Sequence, residues 1–304
     1  MIPFLLMALI APVPKVAREG QILVMQADGK ATLCTPGGQI VKSTSLSTEG
    51  RTIMSAKLAP NGESFVAILT KRPLEVGKAN SDVVQVNWDG KASTLLSQSY
   101  VSRLTWLPDG STVVWSGMDL VKGQDPKFAR SECMISGVYD FSKKLDQTLD
   151  IDGTYSIIDV TADGRCDVAL RRFGLKPVAG KPGVQSPRLE TVFMDRTTRK
   201  VAVVIAEEHD AVPFGRPDAN GVWFVQAGTP PGPCRFDTKT RTMIPLSDGI
   251  FRSGTPRELV VSPTGDRLAV RSMDDEVFVA DTDGGHAKVI ISKGNSKVVA
   301  IDWR

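Results

Sequence analysis

The chain has 304 residues, 41% of them hydrophobic and 23% charged, which is enough for a large core and ordinary for a globular protein. A net charge of +3 is too small to indicate nucleic-acid binding. Only two histidines, His209 and His286, accompany four scattered cysteines (Cys34, Cys133, Cys166 and Cys234), so no zinc motif and no cofactor are expected. The cysteines read as small buried hydrophobes, with disulfides as the alternative.

The chain opens on an apolar run, Ile2–Ile10, followed by Ala11-Pro12-Val13-Pro14. The run is too short to span a bilayer, and no transmembrane segment is expected. It matches the core of a secretory signal but lacks a preceding Lys or Arg, so a cleaved signal and an apolar arm packed on the domain both stand. Residues 1–19 are therefore set apart from one folded domain over 20–304.

From Gly20 onward two turn motifs alternate. The first is a corner after an apolar strand: Ala59-Pro60-Asn61-Gly62, Leu107-Pro108-Asp109-Gly110, Thr161-Ala162-Asp163-Gly164, Arg216-Pro217-Asp218-Ala219-Asn220-Gly221 and Ser262-Pro263-Thr264-Gly265. Proline presets φ at its position, Asp or Asn suits the next, and glycine takes the left-handed conformation that returns the chain. The second is a strand ending in a turn-starting aspartate, at Asp28, Asp89, Asp140, Asp195, Asp237 and Asp281. The corners join strands a and b of a unit, and the aspartate hairpins read as joining c and d.

Successive corner glycines are 48, 54, 57 and 44 residues apart, and successive aspartates 61, 51, 55, 42 and 44. Four short strands in about 40–50 residues is the size of a β-propeller blade. No helical periodicity is sustained. The first unit has no corner before it, whereas the C-terminal Lys297–Arg304 repeats the pattern of Tyr100–Trp106, with Trp303 in the place of Trp106. The expected fold is an all-β, six-bladed propeller of four-stranded antiparallel blades, closed by the C-terminal strand. The segment supplying strand b of the closing blade is not apparent; Pro14–Arg18 is a poor candidate.

Units such as Val261-Ser262-Pro263-Thr264-Gly265-Asp266-Arg267-Leu268-Ala269-Val270, followed by Val277-Phe278-Val279-Ala280-Asp281, resemble the WD-repeat-like blades of TolB-type propellers. The resemblance covers Gly20–Arg304. It departs from the pattern in a short unit around Val222–Asp237, in the absence of a TolB-type α/β domain before Gly20, and in a single Trp-Asp pair, Trp88-Asp89. It implies a non-catalytic scaffold that binds a protein or peptide, in the periplasm or secreted from a bacterial cell, with a cytoplasmic location as the alternative. A monomer is expected.

No GxSxG elbow, HExxH helix or phosphate-binding loop occurs. Some prolyl-oligopeptidase-type peptidases place a similar propeller before a hydrolase domain, and here the chain stops at the ring. Asp28, Asp89, Asp195, Asp281 and Asp283 read as turn initiators rather than calcium ligands, since they lie on separate hairpins. Trp106, Trp115, Trp223 and Trp303 read as packing between blades rather than a ligand platform. No metal site is expected.

Three long b–c connections remain: Lys71–Ser81, Gly117–Ser131 and Arg171–Arg188. Long connections in compact domains are often functional. In a propeller they share one face. The first carries Lys71, Arg72 and Lys78 against Glu75. The second carries Lys122, Lys127 and Arg130 against Asp119 and Asp125. The third carries Arg171, Arg172, Lys176, Lys181 and Arg188 with no acid. Their net charges of +2, +1 and +5 exceed that of the whole chain. A solvated rim and a docking face for an acidic partner both fit. The rival function is a channel-centred enzyme, a metal-dependent lactonase-like hydrolase or a lyase. Against it, Asp159 and Asp302 are the only acids read at the inner strand ends.

Overall fold

The computed structural model describes residues 20–122, 129–151, 154–177, 183, 185–206, 211–215, 217–218, 220–228, 231–246, 249–253 and 256–304. Strands β1 (Ile22–Gln26), β2 (Lys30–Cys34) and β3 (Ile40–Ser45) start the first blade. The second blade is β4 (Thr52–Leu58), β5 (Ser64–Thr70), β6 (Ser81–Asn87) and β7 (Ala92–Gln98). The third is β8 (Val101–Trp106), β9 (Thr112–Lys122), β10 (Ala129–Asp140) and β11 (Leu145–Thr148). The fourth is β12 (Tyr155–Val160), β13 (Cys166–Pro177), β14 (Gln185–Asp195) and β15 (Val201–Ile205). The fifth is β16 (Ala211–Pro213), β17 (Val222–Gly228), β18 (Pro231–Asp237) and β19 (Thr242–Pro245). After a 3-10 turn at Gly249–Ser253, the sixth is β20 (Glu258–Val261), β21 (Arg267–Arg271), β22 (Val277–Asp281) and β23 (Lys288–Ile291). The last strand, β24 (Val298–Trp303), returns to the first blade, whose order is β24-β1-β2-β3. Six four-stranded antiparallel blades, closed by the C-terminal strand, make the propeller that the spacing predicts.

Closure also corrects one assignment. β24 is strand a of the first blade, so β1 is its strand b and the Asp28 hairpin joins b to c, not c to d. The c–d turn of this blade is Thr35–Gln39, where the Gly38 amide donates to Thr35 O at 2.9 Å. The strand b missing from the sequence pattern is therefore Ile22–Gln26. An Asx turn looks the same at either junction, because only its own two strands shape it.

The five corners form as expected. Gly62, Gly110, Gly164, Gly221 and Gly265 have φ between 71° and 80°. They also stitch blades together. A Cβ on Gly110 would lie 3.6 Å from Pro60, one on Gly164 3.4 Å from Pro108, and one on Gly20 3.0 Å from Pro263. At these junctions the proline of one corner seats a glycine of the next blade, whereas Gly221, preceded by a corner with Ala162 in the proline's place, has no such neighbour. At the aspartate hairpins the carboxylates accept backbone amides two residues on, as at Lys30 N on Asp28 (3.1 Å), Lys91 N on Asp89 (3.0 Å) and Thr197 N on Asp195 (3.0 Å).

Buried apolar side chains among the described residues form six clusters, and each spans one blade-to-blade interface. Successive residues of a strand point to opposite faces. Leu23 and Met25 therefore pack on the second blade, while Ile22 and Val24 pack on the sixth. This sandwiching explains continuous apolar runs such as Ser64–Thr70, buried at every position, and the exposed pattern of the outermost strand Ile40–Ser45. Trp106, Trp115, Trp223 and Trp303 lie in these clusters, each 3% exposed or less, so they serve packing. Cys34 and Cys234 are buried free thiols, and Cys166 is a partly buried one.

Two outcomes follow from this architecture. Deleting 298–304 removes strand a of the first blade and Trp303. Loss of the aromatic alone costs roughly 3–5 kcal/mol, against about 5–15 kcal/mol for a whole domain, so thermal melting should move down by many degrees; an unchanged, cooperative melt would refute closure by β24. Gly110→Val should cost about 1–3 kcal/mol through its left-handed φ, whereas Ser111→Ala on the exposed neighbour should change stability by less than about 0.5 kcal/mol. Chemical denaturation of the two variants distinguishes them.

Candidate functional site

The first candidate is the channel on the ring axis. Its walls are the inner strands, and one repeat position supplies a layer of them. The residue three before the corner proline, or its counterpart, is Lys57, Thr105, Asp159, Phe214, Val260 and Asp302 in the six blades, and all six line one cavity of about 40 Å³. Asp302 is its hub. Its carboxylate accepts from Lys57 Nζ at 3.3 Å, from the Leu58 amide at 3.0 Å and from Arg304 Nε at 3.2 Å. Arg304 Nη2 also reaches Thr105 Oγ1 at 3.5 Å, and Thr105 donates to Asp159 at 2.8 Å. Burial pushes the Asp302 carboxyl upward, but Arg304, Lys57 and the Leu58 amide together outweigh it and hold it below its ordinary value. Burial likewise lowers Lys57 and Arg304, but Asp302 with Glu258 and Asp159 more than offsets it for Lys57, and Asp302 with Asp159 does so for Arg304.

The acids at the inner strands were read as Asp159 and Asp302; the structure adds Glu258, at the start of β20. Glu258 accepts from the Ile301 amide at 3.0 Å and lies 3.7 Å from Arg271 Nε. Burial is the main reason its carboxyl is pushed up. The carboxylates of the cavity are thus engaged by cations and amides. Among the described residues, no group of three His, Cys, Asp or Glu side chains is placed to hold a metal ion. Lys57 and Glu258 were missed because they read as ordinary strand polar residues; aligning the repeats on the corner proline would have found both.

The second candidate is the b–c face. The topology brings the three long connections onto adjacent blades, the second, third and fourth. Two of them are not loops in the main. β9 and β10 pair out to Lys122 and Ala129, and β13 and β14 out to Pro177 and Gln185, so these are long hairpins standing on the rim. The β13–β14 pairing is interrupted by a bulge between Phe173 and Leu175, where Gly174 takes a φ of 54°. Lys127 and Lys181 lie outside the described residues. Lys122 and Arg130 fall on the paired ends of β9 and β10, and Lys176 on β13 opposite Ser186.

The cations of this face divide into engaged and available. Lys71 and Lys78 both hold Glu75, at 2.7 and 2.6 Å, and pull its carboxyl down to about 2. Arg171 pairs with Glu190 across the hairpin and lies over the Phe173 ring at 5.3 Å. Arg72 is exposed, 4.0 Å from Met54 Sδ, and Arg172 is exposed on the fourth-blade hairpin. Asn80, which the sequence did not single out, organises the first connection. It is buried, receives the Glu75 amide at 2.8 Å and donates to Glu75 O, Lys78 O and Ser99 O at 2.7, 3.0 and 3.0 Å. Ser99 in turn accepts the Leu120 amide at 3.2 Å, so the second- and third-blade connections are tied together.

No protein-family model matches the sequence, and no curated protein sequence matches it. Solved structures do match in fold. A chain of the nidogen/laminin complex superposes with a TM-score of 0.61 at 11% identity, over 93% of this chain and 97% of that one. A putative TolB from Agrobacterium tumefaciens gives 0.57 at 10% identity, over 95% and 99%. The tricorn protease gives 0.56 at 10% identity, over 93% of this chain and 36% of that one. The chain is a six-bladed propeller of the kind TolB has. With 913 solved chains matching, the architecture is too widely shared to carry a function by itself.

The channel yields a prediction. Asp302→Asn leaves Lys57 and Arg304 facing each other without an anion and should cost roughly 3–5 kcal/mol, as for other broken buried pairs. Because the folded pKa of Asp302 is lowered, its contribution is fully present above the ordinary carboxylate value of 3.8 and is lost as pH falls from there through the lower folded value. The stability difference between wild type and variant should therefore be constant from pH 7 down to about 4 and narrow as pH falls further.

Proposed function

We propose that the chain is a non-catalytic propeller scaffold that docks an acidic protein or peptide on its b–c face, in the bacterial cell envelope. The observation that carries this reading is the asymmetry of the ring. The opposite face carries tight corners, with Pro60 against Gly110 and Pro108 against Gly164, whereas adjacent blades on the b–c face carry an Asn80-braced loop and two projecting hairpins, the fourth-blade one bearing the exposed Arg172. The fold neighbours support it in kind. One belongs to a complex of two proteins, nidogen and laminin, and another is described as a TolB. The apolar Ile2–Ile10 run supports export, with residues 1–19 as a cleaved signal.

Partner capture from envelope extract tests the docking face. Arg172, Lys176 and Lys181 are changed to Glu, leaving Arg171 on Glu190. The melting temperature should hold, since surface ion pairs contribute little. Capture should slow sharply and weaken with salt, because charges more than about 8 Å apart are largely screened at physiological ionic strength. Identical captured proteins from wild type and variant, with identical salt dependence, would reject the b–c face as the docking surface.

A further inference from the structure

Arg103 lies on β8, the inner strand of the third blade, five residues before the corner proline Pro108. Glu258 holds the same repeat position, five before Pro263, on the inner strand of the sixth blade. Third and sixth blades are opposite in a ring of six, so these side chains belong to facing walls of the channel, on its b–c side relative to Thr105. They do not pair. Glu258 is taken by Arg271 and the Ile301 amide. Among the described residues Arg103 has neither a hydrogen-bond acceptor nor a carboxylate within ion-pair distance for its guanidinium, and it is partly buried.

The nearest charge of note makes this less favourable, not more. Arg172, at the b–c rim of the adjacent fourth blade, is anchored there by its own amide, which donates to Thr154 O at 2.8 Å just ahead of β12. Burial first, then the like charge of Arg172, outweigh the smaller opposing pull of Glu258 and hold the Arg103 pKa below the usual arginine value. A partly buried guanidinium that no carboxylate pairs directly, beside a second cation, is left with donors that a ligand anion can satisfy. A guanidinium offers a planar fork that fits a carboxylate with two parallel hydrogen bonds.

We propose that Arg103, with Arg172 at the rim, forms an anion subsite in the b–c mouth of the channel that receives a carboxylate of an acidic peptide segment. This rests on the b–c face being the docking face and places the partner's anchoring side chain at the axis. The hairpins would hold the segment by long-range charge, and Arg103 would fix its register by a directed contact. Rim charges then govern capture rate and Arg103 governs release.

Fluorescence anisotropy with a fluorescein-labelled decapeptide of alternating Asp and Gly, and with its Asn-Gly counterpart, tests the subsite on the full chain. Wild type should bind the Asp peptide and not the Asn peptide. Arg103→Gln should weaken Asp-peptide binding by roughly tenfold or more, as for other charge-assisted contacts, through faster dissociation, and should leave the melting temperature equal or higher because a partly buried charge with no direct ion pair, next to the like charge of Arg172, is gone. Arg103→Lys, which keeps the charge but not the fork, should fall between. Equal binding by wild type and Arg103→Gln, no binding by wild type, or a lowered melting temperature in both variants would each overturn the subsite. A partner captured through the rim in an Arg103-independent way would overturn the subsite while leaving the docking face intact.

Discussion

The antiparallel pairing of β24 with β1 joins residues that are almost the full chain apart, and the ring cannot exist without it. Ile22 faces Trp303 and Met25 faces Ala300, and beyond the strand ends the Gln21 amide still donates to Arg304 O at 2.6 Å. Each blade is stabilised by its two neighbours, through one apolar cluster per interface. An open ring would leave the outer faces of two blades wet. The entropy of closing so long a loop grows only slowly with length, so the burial gained at the last two interfaces decides the matter.

Closure also sets the electrostatics. Asp302 enters the channel only because β24 is an inner strand, and there it meets Lys57 from the second blade. Its second oxygen takes the Leu58 amide, which bonds the first blade to the second next to the axis. Trp106 does the same between the third and second blades, donating to Lys57 O at 3.2 Å. Ser116 receives the Ile157 amide between the third and fourth, at 2.9 Å. Polar side chains near the axis thus replace the backbone ladder that cannot run from blade to blade. The channel floor is consequently filled and internally neutralised.

Much of this was legible in the chain. Pro-Asp-Gly corners and Asx turns are local chemistry: proline sets φ, glycine accepts the left-handed region, and an aspartate oxygen reaches an amide two residues on. Their recurrence fixes the strand count and the blade count. The match of Lys297–Arg304 to Tyr100–Trp106 identifies the closing strand, since both must bury a tryptophan at the same interface position. The basic excess on three b–c connections was also visible, because charge is counted without coordinates.

Other features needed the assembled ring. That the Asp28 hairpin is b–c follows from where β24 docks, and a turn carries no information about its neighbours' neighbours. The hairpins of the third and fourth blades had been read as loops because a strand that leaves the core no longer needs an apolar run. Which cations are available is likewise a matter of distance: Lys71, Lys78 and Arg171 find Glu75 and Glu190, while Arg103 finds no such partner. The sequence by itself determined the turns, the repeats and hence the propeller, because each rests on interactions within a few residues. Tertiary structure decided the strand roles at the seam, the pairing around Asp302 and the isolation of Arg103, because each depends on groups from different blades meeting at one axis.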